Sequence, residues 1–162
     1  AATGVLNVSS SATLGGSGTI GGATTISGTL SPGNSTGTLT FNDNLTLDLN
    51  STSAFEINGF TTGLFDLVSG GPGSQTVTFG GTLNLTFINN FSTEGSVQII
   101  NFENYSGGFS TLNTTGLADG YSATFDSLSG TVNVVPEPST YALLALAAAG
   151  LGAHVVRRRR SR

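Results

Sequence analysis

Short apolar alternations cut by small polar residues run through the first third of the chain. Leu6 and Val8 alternate, as do Leu39 and Phe41, then Leu45, Leu47 and Leu49, then Phe55 and Ile57. A period of two over such spans is that of a half-buried strand, with successive side chains on opposite faces. Residues with turn chemistry separate the runs: Gly15-Gly16, Gly21-Gly22, Ser31-Pro32-Gly33-Asn34 and Asn42-Asp43-Asn44. Further along, the predicted strands lengthen to Thr76–Phe79, Thr82–Ile88, Ser96–Phe102 and Thr131–Val135, with glycine pairs at Gly70-Gly71, Gly80-Gly81 and Gly107-Gly108. Aromatics gather in this second stretch, at Phe65, Phe79, Phe87, Phe91, Phe102, Tyr105, Phe109, Tyr121 and Phe125. They predict a better-packed core that closes one end of a stack, with an aromatic ligand surface as the lesser alternative.

The rhythm suits a β-solenoid or a sandwich of hairpins. Loosely repeated Thr/Gly segments favour the solenoid over residues 1–60: Ser17-Gly18-Thr19-Ile20, Thr25-Ile26-Ser27-Gly28-Thr29-Leu30 and Thr36-Gly37-Thr38-Leu39. Residues 61–135 are left open between a β-rich cap and a sandwich-like region. Gly28 to Leu39 resembles, position by position, the Gly-Thr-Leu-Ser-Pro-Gly-Asn-Ser-x-Gly-x-Leu core of the autotransporter-associated β-strand repeat. That resemblance implies a right-handed parallel β-helix in an exported protein.

The last 27 positions, residues 136–162, follow another pattern. Pro136-Glu137-Pro138 is expected to interrupt the final strand, because proline cannot donate to a ladder. Pro138 suits the first turn of a helix, with Ser139 and Thr140 as cap-type residues. Tyr141 to Val156 is then an apolar run containing Tyr141, Leu143, Leu144, Leu146, Leu151, Val155, Val156 and six Ala, broken only by two Gly and His154. As a helix it is about 24 Å long at ~1.5 Å per residue. With Ser139, Thr140 and snorkelling Arg side chains it reaches the lower end of the ~17–25 residues a bilayer needs. It is apolar all round, unlike an amphipathic helix, which keeps a polar face for water. Arg157, Arg158, Arg159 and Arg160 follow, and a basic flank of this kind stays cytoplasmic. The predicted architecture is therefore an all-β body on the outer side of a membrane, followed by one C-terminal transmembrane α-helix.

Composition sharpens this. The chain has no Lys, and its five Arg all lie at or after Arg157, so residues 1–156 carry nine acidic groups and no Lys or Arg. Such a body cannot neutralise phosphates, which argues against nucleic acid as a partner. With ten Phe, many β-branched residues and only 9% charged residues, the chain reads as folded despite 24 Gly. No cysteine is present, so disulfides, thiolate chemistry and Cys-based metal sites are excluded. The chain opens on Ala1 without Met or a secretory signal, so it is expected to be the C-terminal part of a longer precursor.

No enzymatic activity, metal or cofactor is expected. His154, inside the apolar run, is the sole histidine and cannot serve a nucleophile in the body. Glu56, Asp66, Glu94, Glu103, Asp119 and Asp126 could supply a glycosidase pair, but no Trp is present to stack on a sugar, and surface carboxylates are the ordinary reading. Asp43 and Asp48 do not form an acidic Ca²⁺ loop. The Asn-x-Thr triplets, such as Asn44-Leu45-Thr46 and Asn84-Leu85-Thr86, are read as chance matches in an Asn/Ser/Thr-rich chain.

Val135-Pro136-Glu137-Pro138-Ser139-Thr140, the apolar run and the Arg-rich end, in that order, resemble the PEP-CTERM sorting signal of exopolysaccharide-producing Gram-negative bacteria. The resemblance implies that Pro136, Glu137 and Pro138 are the recognition element for an exosortase, that Tyr141 to Val156 holds the substrate in the membrane, and that Arg157 to Arg160 act as the stop-transfer. Two functions are then open. The preferred one is a structural or adhesive component of the cell surface or matrix, with exosortase, membrane and exopolysaccharide as partners. The alternative is an ice- or polysaccharide-binding module on a Thr-rich solenoid face. A Thr ladder in register on successive coils would favour the latter, and the irregular spacing of Thr24-Thr25, Thr36, Thr38 and Thr40 does not establish one.

Overall fold

In a computed structural model of the chain, residues 4–137 are described; they form 17 strands and no helix. Fourteen of the strands lie in three parallel sheets that the chain visits in turn. The first sheet stacks β1 (Leu6–Val8), β4 (Thr24–Ile26), β7 (Leu45–Leu47), β10 (Thr76–Phe79) and β14 (Asn104–Gly107). The second stacks β2 (Thr13–Gly16), β5 (Thr29–Pro32), β8 (Thr52–Ile57), β11 (Thr82–Phe91) and β15 (Thr111–Leu117). The third stacks β3 (Gly18–Ile20), β6 (Thr38–Phe41), β9 (Leu67–Gly70) and β13 (Ile100–Asn101). Each circuit returns the chain one rung along, as in a solenoid. Residues 4–60 and 61–135 share these sheets, since Thr52 to Ile57 pair with Thr82 to Phe87 across position 60.

The later coils are longer than the first two. Leu6 lies opposite Thr24, Thr24 opposite Leu45, Leu45 opposite Val77 and Val77 opposite Tyr105, so successive coils take 18, 21, 32 and 28 residues. Alternation supplies each strand's inward side chains, and the parallel register stacks like on like about 4.8 Å apart. Val8, Ile26 and Leu47 form one inward column, and Leu39, Val68 and Ile100 another; all are buried. Glycine is demanded where one coil's turn crosses the next: a Cβ on Gly28 would strike the carbonyl oxygens of Ser9 and Ala12.

Three further strands close the long-coil end antiparallel. β17 (Thr131–Pro136) lies between β12 (Gly95–Gln98) and β16 (Tyr121–Asp126). Phe125 of β16 packs edge-on against Phe79 and Phe109, at centroid distances of 5.4 and 5.3 Å, and Phe79 and Phe109 meet at 5.0 Å. The Tyr105 hydroxyl accepts from the Phe102 amide (3.0 Å) and from Gln98 Nε2 (3.1 Å), tying β12 to the last coil.

Several expectations are corrected. Gly15-Gly16 is not a spacer but the end of β2, where Gly15 pairs with Ser31. Leu49 is 82% exposed, because β7 ends at Leu47 and the Ser51 amide closes a turn onto the Asp48 carbonyl. Ser96–Phe102 is two strands, since the chain leaves the antiparallel sheet at Gln98 and enters a parallel one at Ile100. The predicted transmembrane helix lies outside the described residues; among those described, no helix is long and apolar enough to cross a membrane.

Candidate functional site

The described chain ends in the β16–β17 hairpin, and this hairpin carries the start of the predicted processing motif. Its turn is built on Asp126, whose carboxylate accepts from the Leu128 amide (3.0 Å) and the Ser129 hydroxyl (2.6 Å). The Ser129 bond, then the Leu128 bond, hold its pKa below the ordinary carboxylate value. Gly130 follows at φ +67°, and its carbonyl accepts from the Ile99 and Ile100 amides at 3.0 and 3.2 Å. The hairpin is thereby fastened to the coil beneath it. Val132 and Val134 of β17 are fully buried, whereas Val135, Pro136 and Glu137 face solvent.

β17 stops within the Pro-Glu-Pro segment, one residue later than the expected end at Val135: Pro136 is its last residue, opposite Tyr121. The alternation of an antiparallel ladder gives the reason. Glu137 donates its N–H to the Gly120 carbonyl at 2.7 Å, so residues of its parity bond toward β16. Pro136 therefore directs its donorless nitrogen toward β12, and β12 pairs no further than Gly95 with Val134. Gly120, at φ +83°, forms the turn before β16 with a Tyr121 amide bond to the Ala118 carbonyl (3.2 Å). Pro138, the run bearing Tyr141, Leu143, Leu144, Leu146, Leu151, Val155 and Val156, and Arg157 to Arg160 lie outside the described residues.

Outward positions form polar ladders that the sequence spacing concealed. Thr13, Thr29, Thr52, Thr82 and Thr111 lie opposite one another on the five strands of the second sheet. The next outward positions differ by contrast: Gly15 lies opposite Ser31, and Ala54, Asn84 and Asn113 lie opposite one another, with Asn113 Nδ2 donating to Asn84 Oδ1 at 2.9 Å. On the first sheet Thr25, Thr46 and Thr78 continue into Ser106. The available signal was a small residue followed by Thr-Leu, as in Ala12-Thr13-Leu14, Gly28-Thr29-Leu30, Gly81-Thr82-Leu83 and Ser110-Thr111-Leu112.

Beside the second sheet lies an open cleft of about 270 Å³, lined in part by Ser31, Asn34, Ser35, Glu56, Asp66 and Thr86. Asp66 is only 2% exposed, and its carboxylate accepts from the Gly37 amide of one coil (3.0 Å) and the Glu56 amide of the next (2.8 Å). Burial raises its pKa to about 6 against the pull of those two bonds, and the Glu56 charge adds to the rise. Its chemistry is that of a tie between coils. Among the described residues, no three carboxylate or imidazole side chains gather where a metal ion could be held.

Fold and site thus define a parallel β-stack whose closing strand leads directly into a C-terminal signal. Residues 134–160 match the family model for the PEP-CTERM protein-sorting motif, and the match begins inside β17. No curated protein and no solved structure matches the chain. The chain carries a PEP-CTERM sorting motif, which implies an exported protein processed by an exosortase.

Proposed function

We propose that this chain is a non-enzymatic structural or adhesive component of the cell surface or extracellular matrix. The exosortase recognises Pro136, Glu137 and Pro138; Tyr141 to Val156 holds the precursor in the membrane; and Arg157 to Arg160 keep their end cytoplasmic. The β body then stands on the outer side, among exopolysaccharide. The observation that carries this reading is the sorting motif set against the last strand of a β body whose charged residues, from Asp43 onward, are all acidic. The test is C-terminal mass spectrometry of the precursor from a host that has an exosortase, beside a variant with Pro136→Ala and Pro138→Ala. Wild type should lose the segment beyond the motif and the variant should keep it. An intact Arg-rich end in both would leave a simple tail-anchored protein.

A second reading, an ice- or polysaccharide-binding face, is favoured by the five-threonine ladder of the second sheet. It predicts that the folded protein inhibits ice recrystallisation or co-sediments with the producing cell's polysaccharide, and that Thr52→Asn, in the middle of the ladder, weakens the effect. Inactivity in both assays would remove this reading and leave the first untouched.

A further inference from the structure

We infer that the folded body itself presents the processing motif, with β16 and the Gly120 carbonyl as the positioning device, so that the enzyme meets Pro136-Glu137 as the end of a sheet. This rests on the reading that an exosortase processes the chain at that motif. Pro136-Glu137-Pro138 contains a single backbone N–H, because neither proline has one. That one donor, on Glu137, is already committed to Gly120 at 2.7 Å.

No slack separates the body from the motif. Val134, fully buried between β12 and β16, is only two residues before Pro136, and the register continues through Ser122 with Val135 and Tyr121 with Pro136. The acceptor is equally fixed, since Gly120 sits in a turn at φ +83° that feeds directly into β16. The hairpin's other end is anchored through Gly130 to Ile99 and Ile100. An enzyme reading the docked motif by strand addition would lack the Glu137 donor. It would instead read what the sheet leaves outward, namely the exposed Pro136 and Glu137 side chains. Processing would then require a folded cap and would occur at a fixed distance from the body.

The deciding experiment compares pulse-chase processing rates in a host with an exosortase, using the full chain. The first variant carries a flexible Gly/Ser insertion of about eight residues between Val135 and Pro136. It keeps Val132 and Val134 in place, so thermal melting should match wild type, while processing should slow about ten-fold as the pre-organised presentation is lost. The second variant, Ala123→Cys with Val134→Cys, bridges a non-hydrogen-bonded pair of the hairpin in a chain that has no other cysteine. Its oxidised and reduced forms should be processed at equal rates. An insertion variant processed as fast as wild type would overturn the inference alone. An oxidised variant that resists until reduced would overturn it too, because the strand would have to peel away first. Wild type left unprocessed would overturn the sorting reading together with the inference.

Discussion

The two ends of the stack use one pairing scheme and reach a packed interior by different means. At the short-coil end, coils of 18 and 21 residues close on aliphatic columns such as Val8 and Ile26, and no aromatic residue occurs before Phe41. Tight corners there depend on residues without side chains, as at Gly28. The rim is incompletely covered: Val5 is 70% exposed, and Leu6, Leu14 and Ile20 are half-buried. At the other end, coils take 32 and 28 residues. Aliphatic side chains such as Val77, Ile100 and Val132 are joined there by Phe79, Phe109 and Phe125, which interlock, and an antiparallel hairpin closes the end. A parallel edge offers unpaired N–H and C=O groups, and a crossing hairpin is one way of ending it. The longer coils therefore add aromatic packing to a core that is aliphatic along the whole stack.

The comparison is broken most severely at the aromatic cluster. Phe79→Ala should cost about 3–5 kcal/mol in denaturant unfolding, as expected for a buried Phe whose neighbours cannot collapse into the space. A loss below about 1 kcal/mol would mean that the long-coil end does not depend on aromatic filling. At the short-coil end, Gly28→Ala should cost about 1–3 kcal/mol, because the added methyl meets backbone oxygens of the preceding coil. An unchanged midpoint would show that the first coil can move aside.

Between the ends, Ser53 replaces leucine in the inward column Leu14, Leu30, Leu83 and Leu112, and its buried hydroxyl finds no partner among the described residues. Ser53→Ala should stabilise the protein by up to about 1 kcal/mol, and a clear loss of stability would reveal a partner for that hydroxyl.

The last expected effect concerns pH. Asp66 has its pKa raised from 3.8 to about 6, so the folded chain holds this proton more tightly than the unfolded one. Its contribution to stability is full below pH 3.8 and is lost as pH rises through about 6. In Asp66→Asn, the melting temperature should fall less steeply than in wild type across that window, because the remaining carboxylates titrate in both proteins. Parallel slopes would mean that Asp66 titrates normally.

Some of this was legible in the chain. Alternation marked Leu39, Phe41, Leu45, Leu47, Phe55 and Ile57 as inward, and all are buried. It failed at Leu49, where alternation continues past a turn that only the Ser51–Asp48 bond reveals. At the site, Pro136 and Glu137 were visible as motif residues, while Gly120 and Tyr121 were not. Nothing in a turn glycine and the following tyrosine announces the strand they will meet.

The sequence by itself determined the all-β character, the inward residues of most strands and the sorting motif, because each depends on neighbours a few positions apart. Tertiary structure alone decided the rest. The five threonines at 13, 29, 52, 82 and 111 align only because loops of unequal length bring successive coils to the same height. Ser96–Phe102 divides between two sheets because two different neighbours claim its halves. Pro136 remains in its strand because β12 stops before reaching it. A period of two is set by local backbone geometry, whereas register is set by where the chain returns after a whole coil, and no short window of sequence contains that distance.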